Sequence, residues 1–137
     1  MNYIFRKARI LVVEDQRIIA LDLATTIRRV GHDAIGIESK GEKAIQTAET
    51  LKPDLIFMDI SLAGDMDGIE TARIIREKLK IPVIYISGNY DDSTIEKSKS
   101  ASAYGYLIKP VEDCDISTII NTAIYRYDAE NFVLNLG

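Results

Sequence analysis

The sequence holds one cysteine, Cys114, and one histidine, His32. A single thiol excludes an intrachain disulfide and any zinc site built on several cysteines. No local context makes Cys114 and His32 a nucleophile and its base. No apolar run approaches the ~20 residues of a membrane span, and Met1 to Arg9 lack the apolar core of a secretory signal. The chain is therefore expected to be soluble and cytoplasmic, without membrane contact. There is no block of Lys and Arg, and the formal net charge is −4. No direct nucleic-acid binding is expected, because that binding rests on neutralising phosphates. Internal repeats, low-complexity segments and linkers are also missing. What is present is ordinary for a globular chain: 137 residues, 47% hydrophobic and 28% charged, enough for one domain with a real core.

Short apolar runs alternate with amphipathic segments. Arg9–Val13 is a β-branched run of the kind buried on both faces of a sheet. A helix follows over about Arg17–Val30, with Ile19, Leu23, Ile27 and Val30 on one face and Gly31 as its stop. Asp33–Ile37 reads as a second strand, placed at an edge because the loop after it carries no clear chemistry. A helix over about Glu42–Leu51 turns Ala44, Ile45, Ala48 and Leu51 inward. Leu55–Asp59 is the third strand, and Ile60 to Gly68 is a loop with two glycines and two aspartates. The next helix spans about Ile69–Leu79, followed by a strand at Val83–Ser87. A weakly apolar helix is expected near Asp92–Ser100, capped by Asp91 or Asp92. Tyr104–Ile108 is the last strand, and a last helix covers about Asp113–Asp128. The pattern predicts an α/β fold, a doubly wound five-stranded parallel sheet with five helices on its two faces. The tail Asn131–Gly137 is apolar without a partner element. It reads as a helix extension or frayed end, or else as a junction or self-association surface.

Four of the runs end in polar residues suited to one site: Glu14-Asp15, Asp59, Ser87 and Lys109-Pro110. In a parallel sheet all strand carboxyl ends lie on one edge, where open α/β sheets bind ligands. If the first and third strands are neighbours, Glu14, Asp15 and Asp59 converge. Two carboxylates about 4 Å apart repel by about 4 kcal/mol at an effective dielectric near 20, so the cluster needs a cation or a proton. Hard oxygen ligands select Mg²⁺ or Mn²⁺. Asp59 is placed to attack phosphorus and form an acyl phosphate. Lys109 offers a compact charge for phosphoryl oxygens, Ser87 a hydroxyl, and Gly88 a backbone N–H that can approach closely.

These residues carry a family resemblance. The chain resembles the receiver domain of two-component response regulators through Ile10-Leu11-Val12-Val13-Glu14-Asp15, Leu55-Ile56-Phe57-Met58-Asp59-Ile60, Asp67-Gly68, Pro82-Val83-Ile84-Tyr85-Ile86-Ser87-Gly88 and Ala103-Tyr104-Gly105-Tyr106-Leu107-Ile108-Lys109-Pro110. The match covers about Arg9 to Asp128, so the chain is expected to be a single receiver domain, residues 1–137. Its core would be about 9–128, and 129–137 a tail or truncated linker. The resemblance implies a flavodoxin-like three-layer sandwich with strand order 2-1-3-4-5. It implies that Asp59 accepts a phosphoryl group from a histidine kinase or His phosphotransfer protein. Asp15, Asp59 and the Ser61 backbone carbonyl would bind Mg²⁺ directly, and Glu14 through water. Ser87 and Lys109 would contact the phosphoryl, and the bond before Pro110 would be cis. Tyr106 would turn inward when Ser87 moves, altering the surface of the last strand and its flanking helices for a downstream effector protein or domain.

Three positions depart from the common family pattern. The loop after Asp59 is longer and more acidic, Ser87 stands where Thr is common, and Glu14 stands where many members have Asp. Other functions fit less well. Aspartyl-nucleophile phosphatases carry a second Asp two residues after the first, and here Asp59 is followed by Ile60-Ser61. A flavin or nucleotide carrier needs a phosphate loop after the first strand, where this chain is anionic and lacks glycine. A receiver-like binding module that is never phosphorylated would not need the intact acids, Ser87 and Lys109. A receiver excised from a hybrid kinase or a larger regulator would share every feature read here.

Overall fold

The computed structural model describes residues 6–88 and 104–136. The chain runs β1 (Arg9–Val13), α1 (Arg17–Arg29), β2 (Asp33–Glu38), α2 (Gly41–Leu51), β3 (Leu55–Asp59), α3 (Gly68–Leu79), β4 (Val83–Ser87), β5 (Gly105–Ile108) and α4 (Asp113–Leu136). The helix expected near Asp92–Ser100, with its Asp91 or Asp92 cap, lies outside the described residues. Four helices rather than five are therefore seen among them.

The five strands form one sheet in the order β2-β1-β3-β4-β5, and every pairing is parallel. Side chains alternate across each strand, so the apolar runs feed two cores. Ile10, Val12, Leu55, Phe57 and Ile84 face Leu23 and Ile27 of α1 and Ile116 and Ile120 of α4. Leu11, Val13, Ile56, Met58 and Tyr85 face Ala44 and Ala48 of α2 and Ala72 and Ile75 of α3. Each large side chain so buried contributes roughly 1.5–3 kcal/mol.

Helix ends follow their local chemistry. Asp67 caps α3, its carboxylate accepting the Glu70 N–H at 2.8 Å. Gly31, at φ 98°, follows α1. Lys52 and Lys80 take left-handed conformations at the ends of α2 and α3. Helix α4 continues past Asp128 to Leu136, so of the readings open for the tail the structure shows the helix extension. An Arg126–Glu130 pair at i,i+4 spacing bridges the expected stop at 3.0 Å. The Asn131 amide also donates to the Tyr127 carbonyl at 3.0 Å.

Candidate functional site

Adjacent placement of β1 and β3 brings their carboxyl ends together. Val13 pairs with Met58, so Glu14-Asp15, just after β1, and Asp59, the last residue of β3, lie side by side. Glu14, Asp15 and Asp59 each present a carboxylate oxygen within 4.8 Å of the others. Glu14 and Asp59 are buried, with 4% and 7% exposure, and burial strengthens their mutual repulsion.

Backbone donors hold this cluster in place. The Ser61 N–H donates to Asp59 Oδ1 at 3.0 Å, and the Ala63 N–H to Asp15 Oδ2 at 3.2 Å. The Gln16 N–H donates to Glu14 Oε2 at 3.3 Å. Lys109 comes from the far side of the sheet, just after β5, and its ammonium donates to Glu14 Oε1 at 2.8 Å. The Lys109–Pro110 peptide bond is cis. Lys109 also returns its backbone N–H to the Ser87 carbonyl at 2.7 Å. Ser87 is fully buried at the end of β4.

Tyr106 lies on β5 directly opposite Tyr85 of β4. Both hydroxyls are buried without a hydrogen-bond partner among the described residues. Burial, with a smaller contribution from Asp67, pushes the Tyr85 phenol well above its ordinary pKa. The sequence reading singled out Tyr106 and missed Tyr85; its signal was an aromatic two residues before Ser87 on the same strand face.

A Cβ at Gly88 would meet only Lys109 Cδ, at 3.8 Å, so none of the described neighbours demands glycine there. A Cβ at Gly68 would sit 2.0 Å from the Asp59 carbonyl oxygen, so the start of α3 presses on the backbone of Asp59 itself. Beside the acids, a largely apolar cavity of about 350 Å³ lies between α1 and the Pro110-Val111 turn. Ile18, Ile19, Leu23 and Phe57 line it, and it opens onto Glu14, Asp59 and Lys109. Ile18 is 83% exposed at its rim. Cys114 and His32 are not a pair: the thiol is exposed on α4, and the buried ring accepts the Ala8 N–H at 3.0 Å.

The donor set fits a hard divalent cation: carboxylate oxygens only, closely spaced, with more negative charge than one lysine offsets. Fold and site together define an α/β domain with an acidic pocket at the carboxyl edge of its sheet. A response regulator receiver domain model matches residues 10–121, and the chain belongs to that family. It is 33% identical over 119 residues to the transcriptional regulatory protein PdtaR of Mycobacterium tuberculosis, covering 87% of this chain and 58% of that protein. It is 29% identical over 117 residues to the phyllosphere-induced regulator PhyR of Methylorubrum extorquens, covering 85% and 43%. The chain thus spans about half the length of these relatives. Among solved structures, it matches the signal receiver domain of a modulated diguanylate cyclase from Desulfovibrio desulfuricans. There the TM-score is 0.87 with 34% identity, over 91% of this chain and 99% of that one. The N-terminal domain of a response regulator/sensory box/GGDEF protein from Carboxydothermus hydrogenoformans matches with TM-score 0.81 and 33% identity, over 89% and 98%.

Proposed function

We propose that the chain is a single receiver domain in which Asp59 accepts a phosphoryl group from a histidine kinase or a His phosphotransfer protein. The observation that carries this reading is the convergence of Glu14, Asp15 and Asp59 within 4.8 Å, with the Lys109 ammonium on the same cluster. Ser61 holds Asp59 Oδ1 and so fixes the carboxylate's rotation. Oδ2 is assigned as the attacking oxygen. It forms the O–P bond as the P–N bond of a phosphohistidine breaks, and the electron pair leaves with the imidazole. Lys109 exchanges Glu14 for the phosphoryl oxygens, and Ser87 supplies a hydroxyl from the end of β4.

Asp15, Asp59 and the Ser61 carbonyl would hold Mg²⁺, with Glu14 acting through water. Bound there, the ion would neutralise charge on the transferring group. The apolar cavity with Ile18 at its rim borders the attacking carboxylate, and there the donor protein docks. Tyr106 reports the state of the site to an effector protein or domain, in the cytoplasm. Names of the relatives and matched structures point to transcriptional control and diguanylate cyclase activity as kinds of output.

The test is direct. Purified protein with Mg²⁺ and a small phosphodonor gains the mass of one phosphoryl group, and Asp59→Asn abolishes the gain. An equal gain in the variant removes Asp59 from the role.

A further inference from the structure

The last helix is out of proportion to the sheet. Helix α4 has 24 residues, against 13, 11 and 12 in α1, α2 and α3. At 1.5 Å per residue it is about 36 Å long, whereas a five-residue strand spans only about 17 Å. Its far half is nevertheless tied to the body of the domain, by the Arg6 fork on Asp128 and by Tyr104 at Glu130. Tyr104, immediately before β5, is 8% exposed. Its hydroxyl donates to a Glu130 carboxylate oxygen. The Arg76 guanidinium of α3 lies 4.8 Å from its ring centroid and that of Arg126 in α4 lies 4.3 Å away. The Tyr127 ring stands 6.4 Å off at a tilt of 57°. A phenol-to-carboxylate bond and two cation–π contacts are among the stronger polar interactions available at a half-exposed site. Burial and the Glu130 bond raise the Tyr104 pKa, and that same bond, then Arg126, lowers that of Glu130. Donor and acceptor therefore keep their roles across the neutral range.

Strand β5 joins this clasp to the acid cluster. It is a four-residue edge strand, with Tyr104 before it and Lys109 after it. Both flanking residues are fixed to β4, Tyr104 N–H to the Val83 carbonyl at 2.9 Å and Lys109 N–H to that of Ser87 at 2.7 Å. The strand also packs closely on α4, since a Cβ at Gly105 would lie 2.6 Å from Ile119 Cδ1. We infer that Tyr104 is a second output residue, through which β5 carries the phosphorylation state of Asp59 to the far end of α4. The inference rests on the receiver reading. A phosphoryl group on Asp59 competes with Glu14 for the Lys109 ammonium. Strand β5 shifts with Lys109, and the Tyr104–Glu130 clasp shifts with β5. The turn of α4 around Glu130 then changes its hold on the domain.

Hydrogen exchange read by mass spectrometry on the full chain tests this, with Mg²⁺ and acetyl phosphate, and with phosphoryl content read from intact mass. In the wild type, phosphorylation changes exchange over residues 128–136 by at least about threefold. Tyr104→Phe keeps the ring and both cation contacts and loses the hydroxyl. It gains the phosphoryl at the wild-type rate, but its 128–136 amides exchange roughly fivefold to tenfold faster from the outset and no longer respond. Glu130→Gln, which is exposed and leaves the core untouched, shifts exchange in the same direction by less. A phosphorylated wild type with unchanged exchange at 128–136 overturns the inference and leaves the receiver reading standing, as does a Tyr104→Phe protein that keeps the full response. A wild type that gains no mass overturns both.

Discussion

At the carboxyl edge of the sheet, Glu14, Asp15 and Asp59 crowd within 4.8 Å, and the Lys109 ammonium donates to one of them, Glu14. At the amino edge, charges are matched. Arg6 reaches both Asp54 and Asp128, at 3.3 and 3.1 Å, and Lys7 meets Asp33 at 3.3 Å. His32 is buried there with its Nδ1 on the Ala8 N–H. The same sheet thus has one edge where ionised groups oppose one another and one where they compensate. Buried like charges raise the free energy of the folded state, and a chain keeps them where a ligand will neutralise them. The matched edge fastens the ends of β1, β3 and α4 and asks for no ligand.

The sharpest break in this comparison is Asp59→Asn without divalent ions. The amide keeps a hydrogen-bond acceptor for Ser61 and removes one of three crowded charges. Its folded state should be more stable by about 1–3 kcal/mol, a part of the repulsion expected near 5 Å at an effective dielectric of ~20. Urea unfolding in chelator measures it, and a loss of stability would show that the cluster is not strained. The opposite sign is expected at the amino edge. Asp128→Asn removes an acceptor from the Arg6 fork, at 3.2 and 3.1 Å. It should cost up to about 1 kcal/mol and less at high salt, because both side chains are partly exposed. A gain in stability there would erase the contrast.

The smallest expected effect is on pH. Burial lowers the His32 pKa below its ordinary value, outweighing the Asn121 contact and Asp33. The unfolded chain then binds the proton more readily than the folded one. This stability is complete above the unfolded pKa near 6.5 and is lost as pH falls through the folded value. Protonation at Nδ1 also removes the acceptor for Ala8. Between pH 7.5 and 5.5 the wild type should lose more melting temperature than His32→Gln, whose amide oxygen can accept the same N–H. Equal losses would place the acid sensitivity elsewhere.

The fold was legible because its signals are local. Runs such as Ile10–Val13 and Leu55–Met58 match the strand period and lack polar interruption, and Gly31 ends α1 in the sequence as in the structure. The site residues were legible because each ends or directly follows a strand, so topology alone sends them to one edge. The structure places Glu14, Asp15, Asp59 and Lys109 there, while their roles rest on the proposal above. The length of α4 was legible only as one of several readings of the tail. Phe132 and the apolar residues after it have no partner nearby in sequence, and the anchor at Glu130 is Tyr104, 26 positions away. The contact at Gly68 was hidden for a similar reason, since its neighbour is the Asp59 carbonyl across a loop.

By itself the sequence determined a parallel α/β sheet whose carboxyl edge carries three acids, a hydroxyl and a lysine, because hydrophobic period and strand-end position are properties of neighbouring residues. Only the tertiary structure decided the distances among those acids, the Lys109–Glu14 bond, the burial of the Tyr85 and Tyr106 hydroxyls, and the clasp that ties Tyr104 to Glu130 of α4. Each depends on side chains far apart in the chain meeting at ångström separations. Backbone propensity does not encode such meetings; the packing of strands and helices against one another does.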